Sequence, residues 1–425
     1  MSEQDNENED QRVIWDPPAR PRWVQRINEE GECMNIRGVV PLDEDSLLES
    51  AMRATGLSDF GEDDWREPFQ IYVRSLEKEA DFNLMGRLRT RCEILYLLEA
   101  RLKIADAYKR HPEIENEEIT QPLIIVGQGR SGTSFLHNIL WANPEYGALT
   151  YWEAMFPCPP PEKATYRTDP RIARAHKLIT QYNRVTPTMI SMHEFAGNLP
   201  QECTAIMAIN FMAPTWLDCL GQAPTYQAYI AKQDMEPALR YHRRVLKLLQ
   251  WKNPREHWVL KDVKNLDYLD SIMKVYPDAC IVWPHRDPVR ALASTISILG
   301  TIQWARTDNP FKGGSYEYVT DVNLSAARLN AVIDQLEAGV VPPKQFYNLH
   351  YQNLVKDPMG TVDALHRHFG IALSEAGRAG MAKYVADHPR DSRPTHQFSI
   401  GSPDAVARAR QAYRRYQDYF GIPSE

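Results

Sequence analysis

The chain has 425 residues and few cysteines, with no order among them. Its six, Cys33, Cys92, Cys158, Cys203, Cys219 and Cys280, contain no C-x-x-C pair, which argues against a zinc site or a disulfide framework. A basic excess is also missing. The net charge is −7, so no global field draws in nucleic acid. No apolar run approaches the ~20 residues of a membrane-spanning helix. The N-terminus is polar and acidic, unlike a signal peptide. These absences imply a soluble, cytoplasmic protein of a reducing compartment, with no nucleic-acid partner and no membrane span.

What is present is organised around Pro122–Ser134. Leu123–Val126 is a short apolar run of the kind that forms a strand covered on both faces. Gly127, Gly129 and Gly132 then allow a tight turn, and Thr133–Trp141 reads as a helix stopped by Asn143-Pro144. A glycine loop opening a helix is an anion site, because its first N–H groups lack partners and the helix dipole adds positive potential. Arg130 adds a bidentate oxyanion donor, and Ser131, Thr133 and Ser134 add hydroxyls. Gly127 and Gly132 have Walker A spacing, but Thr133 stands where that loop's lysine belongs. The loop is therefore suited to a phosphate-like group and poorly equipped for a magnesium triphosphate. The bland alternative is a glycine-rich turn that binds nothing, which leaves an arginine between glycines without a packing role.

Along the chain, residues 1–20 read as a disordered acidic and Pro-rich tail, whose Trp15–Trp23 end could also lie as an irregular arm over the main domain. Residues 21–120 read as a helical annex packing on that domain, which spans 121–425. Helices are expected over Asp43–Ala54, Phe69–Glu77 and Asp81–Tyr108, the last with a leucine-rich core stripe. Asp169–Tyr182 reads as helix. Met189–Leu217 is rich in Met and aromatics yet contains His193, Glu194 and Glu202. There Pro200 suits the first turn of a helix running through Ala208. This stretch reads equally as a core helix with solvated ends or as part of an active site. Leu239–Trp251 is a basic amphipathic helix whose Arg240, Arg243, Arg244 and Lys247 read as a solvated face.

His257–Lys261, Ala279–Trp283 and Gln345–His350 read as further strands. The second of them leads to Arg286-Asp287-Pro288, where Asp287 and Pro288 suit an N-cap and a first helical residue. Alternating strands and helices indicate a parallel sheet. The expected fold is α/β: a P-loop-like three-layer fold with a central parallel sheet flanked by helices, plus the helical annex. Arg286 falls at the carboxyl end of a strand, where open α/β sheets bind ligands. Ser294 lies about two helical turns on, near the same face. Arg286 could simply pair with Asp287. Together with the glycine loop, however, Arg286 and Ser294 make a second anion site for a nucleotide phosphorylated at both ends of its ribose.

These residues resemble the sulfotransferase superfamily. Gly127–Ser134, centred on Arg130-Ser131-Gly132-Thr133, is similar to its 5′-phosphosulfate loop, and Arg286 with Ser294 to its 3′-phosphate motif. Leu199–Cys203, Trp258–Lys261, Tyr276–Ala279, His285–Pro288, Tyr351–Leu354 and Asp357-Pro358 resemble the broad bacterial-type branch. The likeness spans roughly Pro122 to Ile422. Family members often carry Lys-Ser-Pro-x-His where this chain has Lys261–Asn265, and the cytosolic phenol and steroid enzymes have lysine where Arg130 stands. The resemblance implies 3′-phosphoadenosine-5′-phosphosulfate as co-substrate, no metal, and a small-molecule hydroxyl acceptor. It implies donor contacts from Gly129, Arg130, Ser131, Gly132, Thr133, Ser134, Arg286 and Ser294, with Arg130 also catalytic. The base would be His193, Glu202 or Glu194, favoured in that order for the first two, while His137 reads as structural. Met189, Met192, Phe195, Met207, Phe211, Met212 and Trp216 suggest an apolar acceptor pocket. The rival classes are a P-loop kinase or NTPase, and a non-catalytic nucleotide-binding protein.

Overall fold

The computed structural model describes residues 15–311, 316–389 and 396–425. Five strands form one sheet: β1 (Leu123–Ile125), β2 (Tyr146–Ala148), β3 (His257–Lys261), β4 (Cys280–His285) and β5 (Phe346–His350). All adjacent pairs are parallel, in the order β2-β3-β1-β4-β5. Residues alternate between faces, as strand geometry requires. Ile124, Leu260, Ile281 and Trp283 join a core with Tyr72, Leu98, Phe211 and Leu249. Leu123, Ile125, Val259 and Val282 join another with Leu136, Leu140, Leu365 and Phe369. The three central strands, β3, β1 and β4, are thus buried on both sides, which is why they read as nearly unbroken apolar runs.

Around the sheet lie, among other helices, α1 (Leu84–Arg110), α2 (Thr133–Trp141), α3 (Glu236–Gln250), α4 (Pro288–Trp304) and α5 (Arg414–Phe420). Helices of the first 120 residues share the first core with the sheet, through Trp65, Phe69, Tyr72 and Leu98. Of the tail expected over residues 1–20, only Trp15–Arg20 is described, and this part is packed rather than disordered. The Trp304 indole donates to the Pro18 carbonyl at 2.8 Å, and Arg20 stacks 3.5 Å from the Trp304 ring.

Several expectations need correction. β2 carried no signal, since Tyr-Gly-Ala is too short to show a period. β4 runs through Pro284, past the expected end at Trp283. Proline is tolerated there because Val126 makes the last bond from the β1 side, to the Val282 carbonyl at 2.9 Å. The helix expected from Pro200 through Ala208 is only Thr204–Met207 plus a 3-10 turn, because Thr150 and Pro200 form an antiparallel bridge that keeps the chain extended. The helix over Asp169–Tyr182 divides into Pro170–Ile179 and Gln181–Val185. The basic face of α3 is ion-paired: Arg240 to Glu236, Arg244 and Lys247 to Glu115.

Candidate active site

The loop after β1 is shaped by positive φ angles at Gly127 (128°), Arg130 (68°) and Gly132 (92°). A Cβ on Gly127 would lie 2.7 Å from the Trp283 ring, and one on Gly132 would lie 2.8 Å from the Tyr351 ring. Only glycine fits these two turns. The first helical bond of α2 runs from Leu136 N–H to the Gly132 carbonyl at 3.0 Å. The N–H groups of Thr133, Ser134 and Phe135 therefore have no intrahelical acceptor, directly after the carboxyl end of β1. Ser131 is fully buried, and its hydroxyl donates to the Gln128 carbonyl at 2.7 Å. A ligand would meet the backbone rather than the hydroxyl there.

Arg130, held in the left-handed region, turns its guanidinium toward the second expected anion site. Its Nε donates to Ser294 Oγ at 3.0 Å and its Nη1 to the Met192 carbonyl at 2.8 Å. Arg286 Nη1 donates to the Arg130 carbonyl at 3.1 Å. The two arginines, which sequence assigned to separate cradles, are therefore neighbours. Burial and the nearby Arg286 lower the Arg130 pKa. Arg286 does not pair with Asp287. Asp287 caps α4 through Val289 N–H at 3.0 Å and takes Arg410 at 2.8 Å. Arg286 instead binds Glu425 and stacks 4.5 Å from the Tyr351 ring. Tyr351 thus braces both Gly132 and Arg286.

A second group gathers at the tip of β3. The Lys261 ammonium, on a buried side chain, lies 2.6 Å from Glu202 Oε1 and 3.2 Å from Ser134 Oγ. Lys261 ends β3; the family's Lys-Ser-Pro-x-His pattern, whose lysine this chain keeps at Lys261, is the signal that could have marked it. Next to it, burial and then Glu202 push the Asp262 carboxyl up to about 7. The Tyr151 hydroxyl lies 3.0 Å from His193 Nε2. Burial, then the charge of Glu202, raises its phenol pKa, so Tyr151 lies close to both base candidates. His193 directly follows Met192, whose carbonyl holds Arg130. Glu194 is exposed. His137 is buried, 3.0 Å from the Val259 carbonyl, and burial holds its pKa down to about 3. That is a structural histidine.

The apolar residues divide. Met189 joins Tyr151, Ile179 and Tyr182, with Met192, Phe195, Ile298 and Ile302 packed against them, beside His193. Met207, Phe211 and Met212 belong instead to the main core, with Trp216 against it. His396 bridges Ser294 (3.3 Å) and Ser297 (3.0 Å) at the outer edge. Arg393, close to it in sequence, lies outside the described residues. Among the described residues, no group of three or more His, Cys, Asp and Glu could hold a metal ion. No helix among them is long and apolar enough to cross a membrane.

Residues 122–375 match the model of a sulfotransferase family. Among curated proteins, an omega-hydroxy-beta-dihydromenaquinone-9 sulfotransferase of Mycobacterium bovis is 23% identical over 295 residues, covering 66% of this chain and 70% of that one. Among solved structures, sulfotransferase STF9 from Mycobacterium avium superposes with a TM-score of 0.76 at 25% identity, covering 90% of this chain and 98% of the other. Sulfotransferase STF1 from Mycobacterium tuberculosis gives 0.71 at 29% identity, covering 87% and 97%.

Proposed function

The chain belongs to the sulfotransferase family, and from that premise we propose that it moves a sulfuryl group from 3′-phosphoadenosine-5′-phosphosulfate to a hydroxyl of a small, largely apolar acceptor. The observation that carries the reading is the joining of two anion-binding groups at adjacent strand tips, with Arg286 donating to the backbone of Arg130. One doubly phosphorylated nucleotide can touch both. The residues present suit such a ligand. A carboxylate already sits against Arg286, and the loop glycines let the turn pack closely against Trp283 and Tyr351, which leaves its backbone N–H groups free of side-chain cover. Thr133 in place of a Walker lysine speaks against the kinase or NTPase alternative.

When bound, the donor supplies an activated sulfuryl group on a phosphate leaving group. Sulfuryl transfer makes demands like those of phosphoryl transfer, chiefly positioning and stabilisation of spread negative charge. In this reading the N–H groups of Gly132, Thr133 and Ser134 offset charge on the phosphate side. Arg130, held between Ser294 and the Met192 carbonyl beside His193, turns from the Ser294 contact to share that task when the donor binds. The Gly129 backbone lines the same loop. Lys261, reaching Ser134, adds a third positive group at the point of transfer. Arg286 and Ser294 anchor the 3′ end. The acceptor proton goes to His193 or Glu202. His193 is the first choice, because Glu202 is already engaged by Lys261 and His193 adjoins the Arg130 contact at Met192. The apolar cluster around Met189 and Tyr151 lies beside His193 and suits a lipid or phenolic hydroxyl. A curated relative named for a hydroxylated menaquinone derivative supports the same class.

The test is transfer of radiolabelled sulfate from the donor to a panel of phenolic, isoprenoid and sugar hydroxyls. Label moving to apolar alcohols supports the reading. Tight binding of adenosine 3′,5′-bisphosphate with no transfer to any acceptor would make the protein a nucleotide binder instead.

A further inference from the structure

We propose that Glu425 is a built-in competitor at the outer anion pocket, and that Arg290 completes this pocket for the donor's 3′-phosphate. The inference rests on the donor reading above and concerns what must leave before the donor can bind. Arg286 Nε lies 3.0 and 3.2 Å from the two carboxylate oxygens of Glu425, and Nη2 lies 2.9 Å from the second. Arg290 Nε approaches that second oxygen at 3.6 Å. The carboxylate thus occupies the point where two guanidinium groups converge. This is the geometry a phosphate would seek, with more charge and more oxygens to offer.

The contact is built, not incidental. The Glu425 backbone N–H donates to Asp287 Oδ2 at 2.7 Å. Asp287 is fixed by capping α4 and by Arg410. Upstream, Gly421 ends α5 with φ of 64°, and Ile422 is buried in the core. Between the buried Ile422 and Glu425 lie only Pro423 and Ser424, both exposed, and this stretch must shift for the pocket to open. A phosphate and the Glu425 carboxylate cannot share it, since like charges would meet in one cradle. Donor binding therefore displaces this short segment. The spent nucleotide keeps the same 3′-phosphate, so Glu425 weakens product binding as it weakens donor binding, and favours release.

The experiment measures, by titration calorimetry on the full chain, affinities for adenosine 3′,5′-bisphosphate and adenosine 5′-monophosphate. Glu425→Gln should tighten bisphosphate binding by roughly threefold to tenfold, the range of a partly exposed charge pair, and leave the monophosphate unchanged. Arg290→Gln should weaken the bisphosphate alone. If the wild-type protein prefers the bisphosphate but Glu425→Gln does not strengthen it, the competitor role is wrong and the donor site stands. If the wild-type protein does not distinguish the two nucleotides, the donor reading fails and this inference fails with it.

Discussion

Arg130 and Arg286 touch, yet their surroundings treat their charge in opposite ways. Arg130 meets a hydroxyl and a carbonyl, and burial and its neighbour Arg286 lower its pKa. Burial also pulls on Arg286, but its bonds to Glu425 and the charge of Tyr351 raise it overall. The inner half of the site keeps a cation that is not neutralised; the outer half has its cation satisfied by the chain itself. An unneutralised, partly desolvated cation is costly to fold around and is worth most against charge that develops during a reaction. A satisfied one is suited to holding a ligand by exchange. The inner half should therefore govern rate and the outer half affinity.

The largest effect expected on that division comes from the base. His193→Ala should lower turnover by ~10²–10⁴ while bisphosphate affinity stays near wild type. Glu202→Gln is the comparison: if it alone carries the loss, the base is Glu202 and Tyr151 only orients His193. Steady-state rates with the nucleotide affinity measured separately decide between them. Arg130→Ala should come next, at about 10²–10³ in kcat. Arg286→Ala should act on the other side of the division, weakening bisphosphate binding by roughly tenfold to a hundredfold with a smaller change in kcat at saturation. If Arg286→Ala abolishes turnover at saturating donor, the two halves do not have separate roles.

Much of the inner half was legible in sequence. Gly127, Gly132 and the apolar run before them state a strand, a turn and a helix start within a dozen residues, because local backbone demands leave few alternatives there. Arg286, Asp287 and Pro288 were legible for the same reason, down to the N-cap. What could not be read depends on long-range placement. Lys261 meets Ser134 and Glu202 only because β3 lies beside β1. Tyr351 supports both Gly132 and Arg286 from the far end of β5, and Glu425 reaches Arg286 across 139 positions. The Met-rich stretch was ambiguous because Met189 and Met207 carry the same local signature, and only the fold puts one beside His193 and the other in the main core.

The smallest expected effect separates the two halves by pH. Burial and Glu202 hold the inner Asp262 carboxyl at about 7, above its ordinary 3.8, while burial holds the outer His285 imidazole down to about 3, below its ordinary 6.5. The folded protein keeps the Asp262 proton where the unfolded chain has lost it. The stability from that proton is complete below about pH 4 and is lost as pH rises toward 7. His285 runs the other way. Its ring is fixed between Tyr416 (2.9 Å) and Asn348 (2.8 Å), and it resists a proton that the unfolded chain accepts. Its contribution is complete above 6.5 and is lost as pH falls toward 3. Asp262→Asn removes only the first slope, and its amide oxygen can still accept the Lys264 N–H that Asp262 holds at 2.9 Å. The melting temperature of this variant relative to wild type should therefore rise between pH 4.5 and pH 8, by on the order of 5 °C. A difference that stays flat with pH would mean that Asp262 is ionised throughout, with Lys261 neutralising it in place of Glu202.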